Sequence, residues 1–317
     1  MAEKLVFNGE NVGYGQRKFV HIDIAKLYDS TAMTLDFEVL RGAEDGPVLF
    51  VLGALHGDEI NGVEIIRKLL ALDNLKLLKG TLIAVPIVNA YGFNTKSRYL
   101  PDRRDLNRCF PGSSSGSLAS RLAHVLQTEV IDKSTHGIDL HTGAINRTNL
   151  PQIRAVMNDE NTFKMAKSFG ASVALDEPLR EGSLRHYCYE NGITSILYEG
   201  GEALRFEKKA IAVGLNGVLR TMIALDMLPH DFQHEVGHDS EVLEGGYWVR
   251  APKSGMLISE KRLGDRVDEG ERLGFMTDSL NRETGEITAP HNGIIVGCTT
   301  TPLLNQGDAA YHIAKYS

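Results

Sequence analysis

The chain has 317 residues, 42% of them hydrophobic and 24% charged, an ordinary globular composition that excludes disorder as its main state and leaves room for one large unit and a smaller one. Its formal net charge of -7, from 34 basic and 41 acidic side chains interspersed along the sequence, offers no footprint for a polyanion and argues against nucleic acid as a partner. No apolar run approaches the roughly 20 residues that cross a bilayer. The start, Met1 to Asn8, lacks the long apolar stretch of a secretory signal, so a soluble, cytoplasmic protein with no membrane partner is expected. Three widely spaced cysteines, Cys109, Cys188 and Cys298, make neither a disulfide framework nor a CxxC pair and read as reduced thiols.

Taken in chain order, an N-terminal β segment leads into a stretch from Phe37 to about Leu228 where short apolar strands alternate with periodic helices. That alternation predicts an α/β fold around a mostly parallel sheet. Val48 to Leu52 is a continuous apolar run suited to a strand buried on both faces. A helix follows, with Ile60, Val63, Ile66 and Leu70 at spacings of three and four. Further strands are predicted over Thr81 to Val88, Gly137 to Leu140 and Ser195 to Tyr198. Two more helical stripes are Leu118, Leu122, Val125, Leu126 and Ile211, Leu215, Val218, Leu219, Met222. Pro229 to Asp239 is polar, and its His230, His234 and His238 are read as a solvated linker because Pro229 and Gly237 break any helix. The expected division is therefore an α/β unit over residues 1–229 and a β unit over residues 240–317. The second carries an internal repeat: Ala251-Pro252 to Leu257 is echoed by Ala289-Pro290 to Ile295, and Glu269-Gly270-Glu271 by Gln306-Gly307-Asp308. Two such units pair into a small all-β, barrel-like sandwich.

Polar clusters close three of the predicted strands, where ligands bind in open α/β sheets. The first is His56-Gly57-Asp58-Glu59; with a helix starting near Gly57, an imidazole and a carboxylate three residues apart aim at one point, a metal-ligand spacing. The others are Asp139-Leu140-His141 and Tyr198-Glu199-Gly200. Two histidines and a carboxylate, with a fourth position left to water, are the ligand set of a catalytic zinc. Glu199 would then take and return the proton during amide hydrolysis. Either Asp58 or Asp139 could hold a ligating imidazole from behind. Taken one at a time, these residues also read as hydrogen-bonded turn residues. The arginine-rich segment Ser97 to Arg108 either binds carboxylates or pairs with Asp102 and Asp105 as a solvated loop. The Gly-Ser stretch Pro111 to Ser117 is expected to be a mobile loop near the site.

His56-Gly57-Asp58-Glu59, Asp105-Leu106-Asn107-Arg108, Asp139-Leu140-His141 and Tyr198-Glu199-Gly200 occur in the order seen in the succinylglutamate desuccinylase/aspartoacylase family, and the chain resembles that family from Asp45 to Leu225. The resemblance implies a zinc-carboxypeptidase-like α/β domain with one zinc per chain on His56, Glu59 and His141 and Glu199 as general base. It further implies that Asn107 and Arg108 grip a substrate carboxylate and that an arginine polarises the scissile carbonyl. Position assigns that arginine to Arg98, with Arg104 as competitor. The expected activity is deacylation of a small N-acylated substrate bearing a carboxylate, an N-acyl amino acid or related amine. A metallocarboxypeptidase acting on short peptides and a non-catalytic binding module are the alternatives. The tail is similar to biotinyl/lipoyl barrels, but Thr277 to Glu283 between the repeats has no lysine to carry a group. Shaping substrate access or a homo-oligomer contact is the role expected of it.

Overall fold

A run such as Val48 to Leu52, with no polar face, is stable only where both sides of a sheet are covered. In the computed structural model, which describes residues 5–77 and 79–316, Leu49 to Leu52 lie fully buried near the middle of a large sheet. The chain opens with a short antiparallel pair, β1 (Leu5–Phe7) and β2 (Glu10–Val12), and a long hairpin, β3 (Arg17–Lys26) and β4 (Ala32–Arg41). Strands and helices then alternate through β5 (Glu44–Gly53), α1 (Asn61–Leu70), β6 (Lys79–Ile87), α2 (Ala90–Thr95), α3 (Leu118–Glu129) and β7 (His136–Gly143). Next come β8 (Arg147–Ala155), α4 (Glu160–Phe169), β9 (Val173–Asp176), α5 (Leu184–Glu190), β10 (Thr194–Glu202) and α6 (Lys208–Ala224). Beyond these only strands occur among the described residues: β11 (Glu241–Arg250), β12 (Gly255–Ser259), β13 (Arg266–Val267), β14 (Arg272–Thr277), β15 (Glu283–Thr288), β16 (Gly293–Thr299), β17 (Leu303–Leu304) and β18 (Ala309–Lys315).

Strands β10, β7, β5 and β6 run parallel, side by side in that order. On either side of them the sheet turns antiparallel, with β4 and β3 beyond β6 and β8 beyond β10. The sheet is therefore mixed, not mostly parallel as expected. The reason lies in the connections: a parallel neighbour needs a long crossover, whereas a link of a few residues reverses the chain. Such links join β3 to β4 and β7 to β8. Helices α1, α4 and α6 cover one face through Ile65, Ile66, Phe169, Val218 and Met222. The other face is covered by α3, α5 and the β1–β2 pair, with Leu122, Leu126, Leu184, Phe7 and Val12 packed in one cluster with Leu35 and Phe37 of β4.

The last strands do not stand apart from this sheet. β11 pairs with β9, β18 with β11, β16 with β18, and β16 with β8, which itself pairs with β9. These pairings close a ring of five strands, two supplied by the α/β part and three by the tail. A separate four-stranded sheet, ordered β15, β14, β12, β17, packs against the tail strands through Leu257, Leu273, Met276, Ile295, Tyr311 and Ile313. The two sequence repeats occupy matching places. Gly270 N–H donates to Ala289 O and Gly307 N–H to Ala251 O, so the turn of each repeat holds the Ala-Pro start of the other. No helix among the described residues is long and apolar enough to cross a membrane.

Candidate active site

At the end of β5 the chain bends through Ala54, which adopts a left-handed φ of +48°. The bend is pinned by Val88 N–H to Gly53 O and Asn89 N–H to Ala54 O. Gly57 then lies directly on α2: a Cβ there would come within 2.0 Å of Gly92 C and 2.2 Å of Phe93 N. The close approach makes residues 56–59 a tight turn, with Glu59 N–H donating to His56 O, and postpones α1 to Asn61. His56 and Glu59 thus belong to the turn and not to the first helical turn expected near Gly57. Asn61 ties this corner to β10, donating to Gly200 O and accepting from Glu207 N–H.

His56, Glu59 and His141, all buried, converge at the carboxyl ends of β5 and β7, their candidate donor atoms within 4.8 Å of one another. Both ring Nδ1 atoms face Glu59: His56 Nδ1 lies 2.9 Å from Oε1, His141 Nδ1 lies 2.7 Å from Oε2, and the two nitrogens are 3.1 Å apart. On their far sides, His56 Nε2 lies 2.9 Å from Asp105 Oδ1 and His141 Nε2 lies 2.7 Å from Asp139 Oδ2. A carboxylate that holds a proton on Nε2 leaves the Nδ1 lone pair directed inward, which is how ligating histidines are fixed. Of the two aspartates left open by the sequence, Asp139 backs an imidazole. Asp58 does not, and its buried Oδ1 has no hydrogen-bond partner among the described residues.

Burial pushes the Glu59 carboxyl up, but His56 and His141 outweigh it and hold it well below the usual carboxylate range. Burial likewise opposes protonation of both imidazoles, and the neighbouring carboxylates overcome it, raising both above the ordinary histidine value. Asp105, despite its own burial, is held far down by His56 and Arg98. A corner with these electrostatics gathers positive charge, and either protons or a cation satisfies it. Two inward Nδ1 lone pairs and one carboxylate fit a zinc ion in donor type and number.

These residues open onto a cleft of about 350 Å³ that also takes in Glu199, Arg98, Asn107 and Arg108. Glu199, paired in register with His141 across β10 and β7, accepts from Asn149 Nδ2 and lies 3.4 Å from an Arg154 Nη. Arg98 spans Glu59 and Asp105 at 3.0 and 2.9 Å. Arg104 does not line the cleft and instead sits 3.8 Å from Asp102 on the surface. Asn107 Oδ1 accepts from Leu184 N–H at the start of α5, which leaves its amide NH2 as the group free to meet an acceptor. The Gly-Ser stretch does not line the cleft; Ser117 caps α3 and Ser113 N–H donates to Ser120 O.

Several cleft residues were not singled out from the sequence. Arg147, Arg154, Arg180 and Arg185 bring its arginines to six, against Glu59, Glu177 and Glu199, so the cleft favours anions. Trp248 reaches it from β11. None of these lies in a motif, and only the sheet pairing brings them to the same corner. Asp105 sat in a recognised motif, but nothing local tied it to His56.

Fold and donor set together define an α/β protein with a candidate metal centre at the carboxyl ends of its parallel strands. Residues 45–225 match the succinylglutamate desuccinylase/aspartoacylase catalytic domain, and the chain belongs to that family. It is 24% identical over 289 residues to the N-alpha-acetyl-L-2,4-diaminobutyric acid deacetylase of Halomonas elongata, spanning 87% of this chain and 84% of that one. Its fold is shared with the product-bound ectoine utilization protein EutE (DoeB) of Ruegeria pomeroyi, at TM-score 0.83 and 23% identity over 95% of this chain and 94% of that one. An aspartoacylase family protein of Mesorhizobium loti superposes with TM-score 0.83 at 21% identity over 100% of this chain and 99% of its own.

Proposed function

We propose that the chain is a zinc-dependent amide hydrolase that deacylates a small N-acyl amino acid or related amine. The observation that carries this is the convergence of two carboxylate-backed imidazoles and Glu59 on one point beside Glu199, in a cleft dominated by arginines. His56, Glu59 and His141 hold the single zinc. When bound, the ion supplies Lewis acidity to a carbonyl and lowers the pKa of a water. Glu199 accepts the proton of the attacking water and returns it to the leaving amine. Asn149 and Arg154 keep its carboxylate oriented. Arg98, fixed by Glu59 and Asp105, presents positive charge to the carbonyl oxygen as it becomes anionic. Asn107, through its amide NH2, and Arg108 bind the substrate carboxylate.

The test is metal content by mass spectrometry together with hydrolysis of a panel of N-acyl amino acids. About one zinc per chain, lost in His56→Ala, and turnover abolished in Glu199→Gln with zinc retained is the expected result. Near-normal turnover in Glu199→Gln would remove Glu199 as the base. Release of C-terminal residues from peptides, without deacylation, would favour a carboxypeptidase.

A further inference from the structure

Trp248 is the only tryptophan of the chain, and it lies in the strand-only tail yet lines the cleft of the α/β part. Its position is built and not incidental. β11 is anchored on one side to β9 and on the other to β18, where Trp248 pairs in register with His312. The His312 ring, buried, stacks on the indole at 4.9 Å with the planes 9° apart, and the Arg147 guanidinium lies over the indole at 5.0 Å. The ring strands place this group beside Glu199, which accepts from Asn149 and lies 3.4 Å from Arg154. Asn107 and Arg108, from the segment after β6 and α2, seat instead against the stretch that leads into α5: Asn107 Oδ1 accepts from Leu184 N–H, and Gly182 packs on the Arg108 backbone.

We infer that Trp248 is the specificity-determining wall for the acyl group of the substrate. The inference rests on the deacylase reading above, in which Asn107 and Arg108 take the amino-acid carboxylate; the other side of the scissile amide then faces the ring and Trp248. A large flat side chain backed by the buried His312 ring resists displacement by a longer acyl chain, so it sets an upper limit on acyl length. Arg147, held over the indole, places a cation beside that wall.

The experiment uses the single tryptophan as its own reporter. The zinc-loaded chain is titrated with N-acetyl, N-butanoyl and N-hexanoyl amino acids while indole emission is followed, and kcat and KM are measured for the same series in wild type, Trp248→Phe and Trp248→Ala. Saturable change in emission is expected, with the ratio of kcat/KM for hexanoyl over acetyl rising by about tenfold or more in Trp248→Ala and zinc content unchanged. Trp248→Phe, which keeps a flat ring, should fall between the two. Turnover with unchanged emission and an unchanged chain-length ratio in both variants overturns the role of Trp248 and leaves the deacylase reading standing. Saturable emission change without turnover keeps Trp248 as a pocket wall and counts against the deacylase reading. Neither emission change nor turnover overturns both.

Discussion

Asp105, 49 residues from His56, and Asp139, two residues from His141, show how a carboxylate behind a ligand decides what the ligand does. Each lies within hydrogen-bond distance of Nε2 of one imidazole and so favours the proton there, which leaves Nδ1 for a cation. Asp139→Asn is expected to lower zinc affinity by about ten- to a hundredfold, measured by competition with a chelator of known affinity. Asp105→Asn should show the same loss and also lower kcat at saturating zinc, because Asp105 fixes Arg98 as well. His312 is the second residue whose setting has a measurable consequence. Burial, and then the charge of Arg154, hold its pKa down at about 4. In the unfolded chain the same histidine takes up its proton near its ordinary value. The folded state therefore gains stability from a neutral His312 above that value and loses it as pH falls through the window down to about 4. Denaturant midpoints across this window should fall less steeply in His312→Phe than in wild type; parallel curves would refute the assignment.

Among the elements, two kinds of glycine do different work. Gly57 has no unusual φ, but α2 leaves no room for a side chain over it. Gly57→Ala must push the His56–Glu59 turn off α2, and a cost of about 3 kcal/mol or more is expected, with zinc affinity falling alongside stability. Gly270 and Gly307 are the opposite case, with open space around them and φ of +81° and +89°. Alanine at either should cost only about 1 kcal/mol, read from a urea midpoint, because the penalty is backbone conformation alone. The matching turns were legible as an internal repeat, since Gly at that position has a local cause. The Gly57 contact was not legible, because α2 meets it only in three dimensions. The start of α1, expected near Gly57, was misplaced for the same reason: the contact of Gly57 with α2 holds residues 56–59 in a turn, and the helix begins at Asn61.

On the scale of the whole molecule, the tail and the α/β part share the five-stranded ring and the apolar cluster of Val173, Leu175, Leu243, Ile294, Val296 and Ala314. Ending the chain after Ser240 would take β16 from β8 and β11 from β9, expose Val173 and Leu175 and remove Trp248 from the cleft. Loss of soluble, cooperatively folding protein is the expected outcome of that truncation, and differential scanning calorimetry of the full chain should show one transition. Two separated transitions, with an active truncated chain, would contradict it.

The strands and helices, the ordered polar clusters at strand ends and the change of character after Leu228 were set by local periodicity and residue type, and so could be read from the chain alone. The mixed direction of the sheet, the pairing of Asp105 with His56 and the arginines of the cleft were decided only by tertiary structure. The same holds for the entry of Trp248 from the tail. Each depends on which strands become neighbours, and that choice is made by burying whole faces at once, a global condition that no short segment of sequence records.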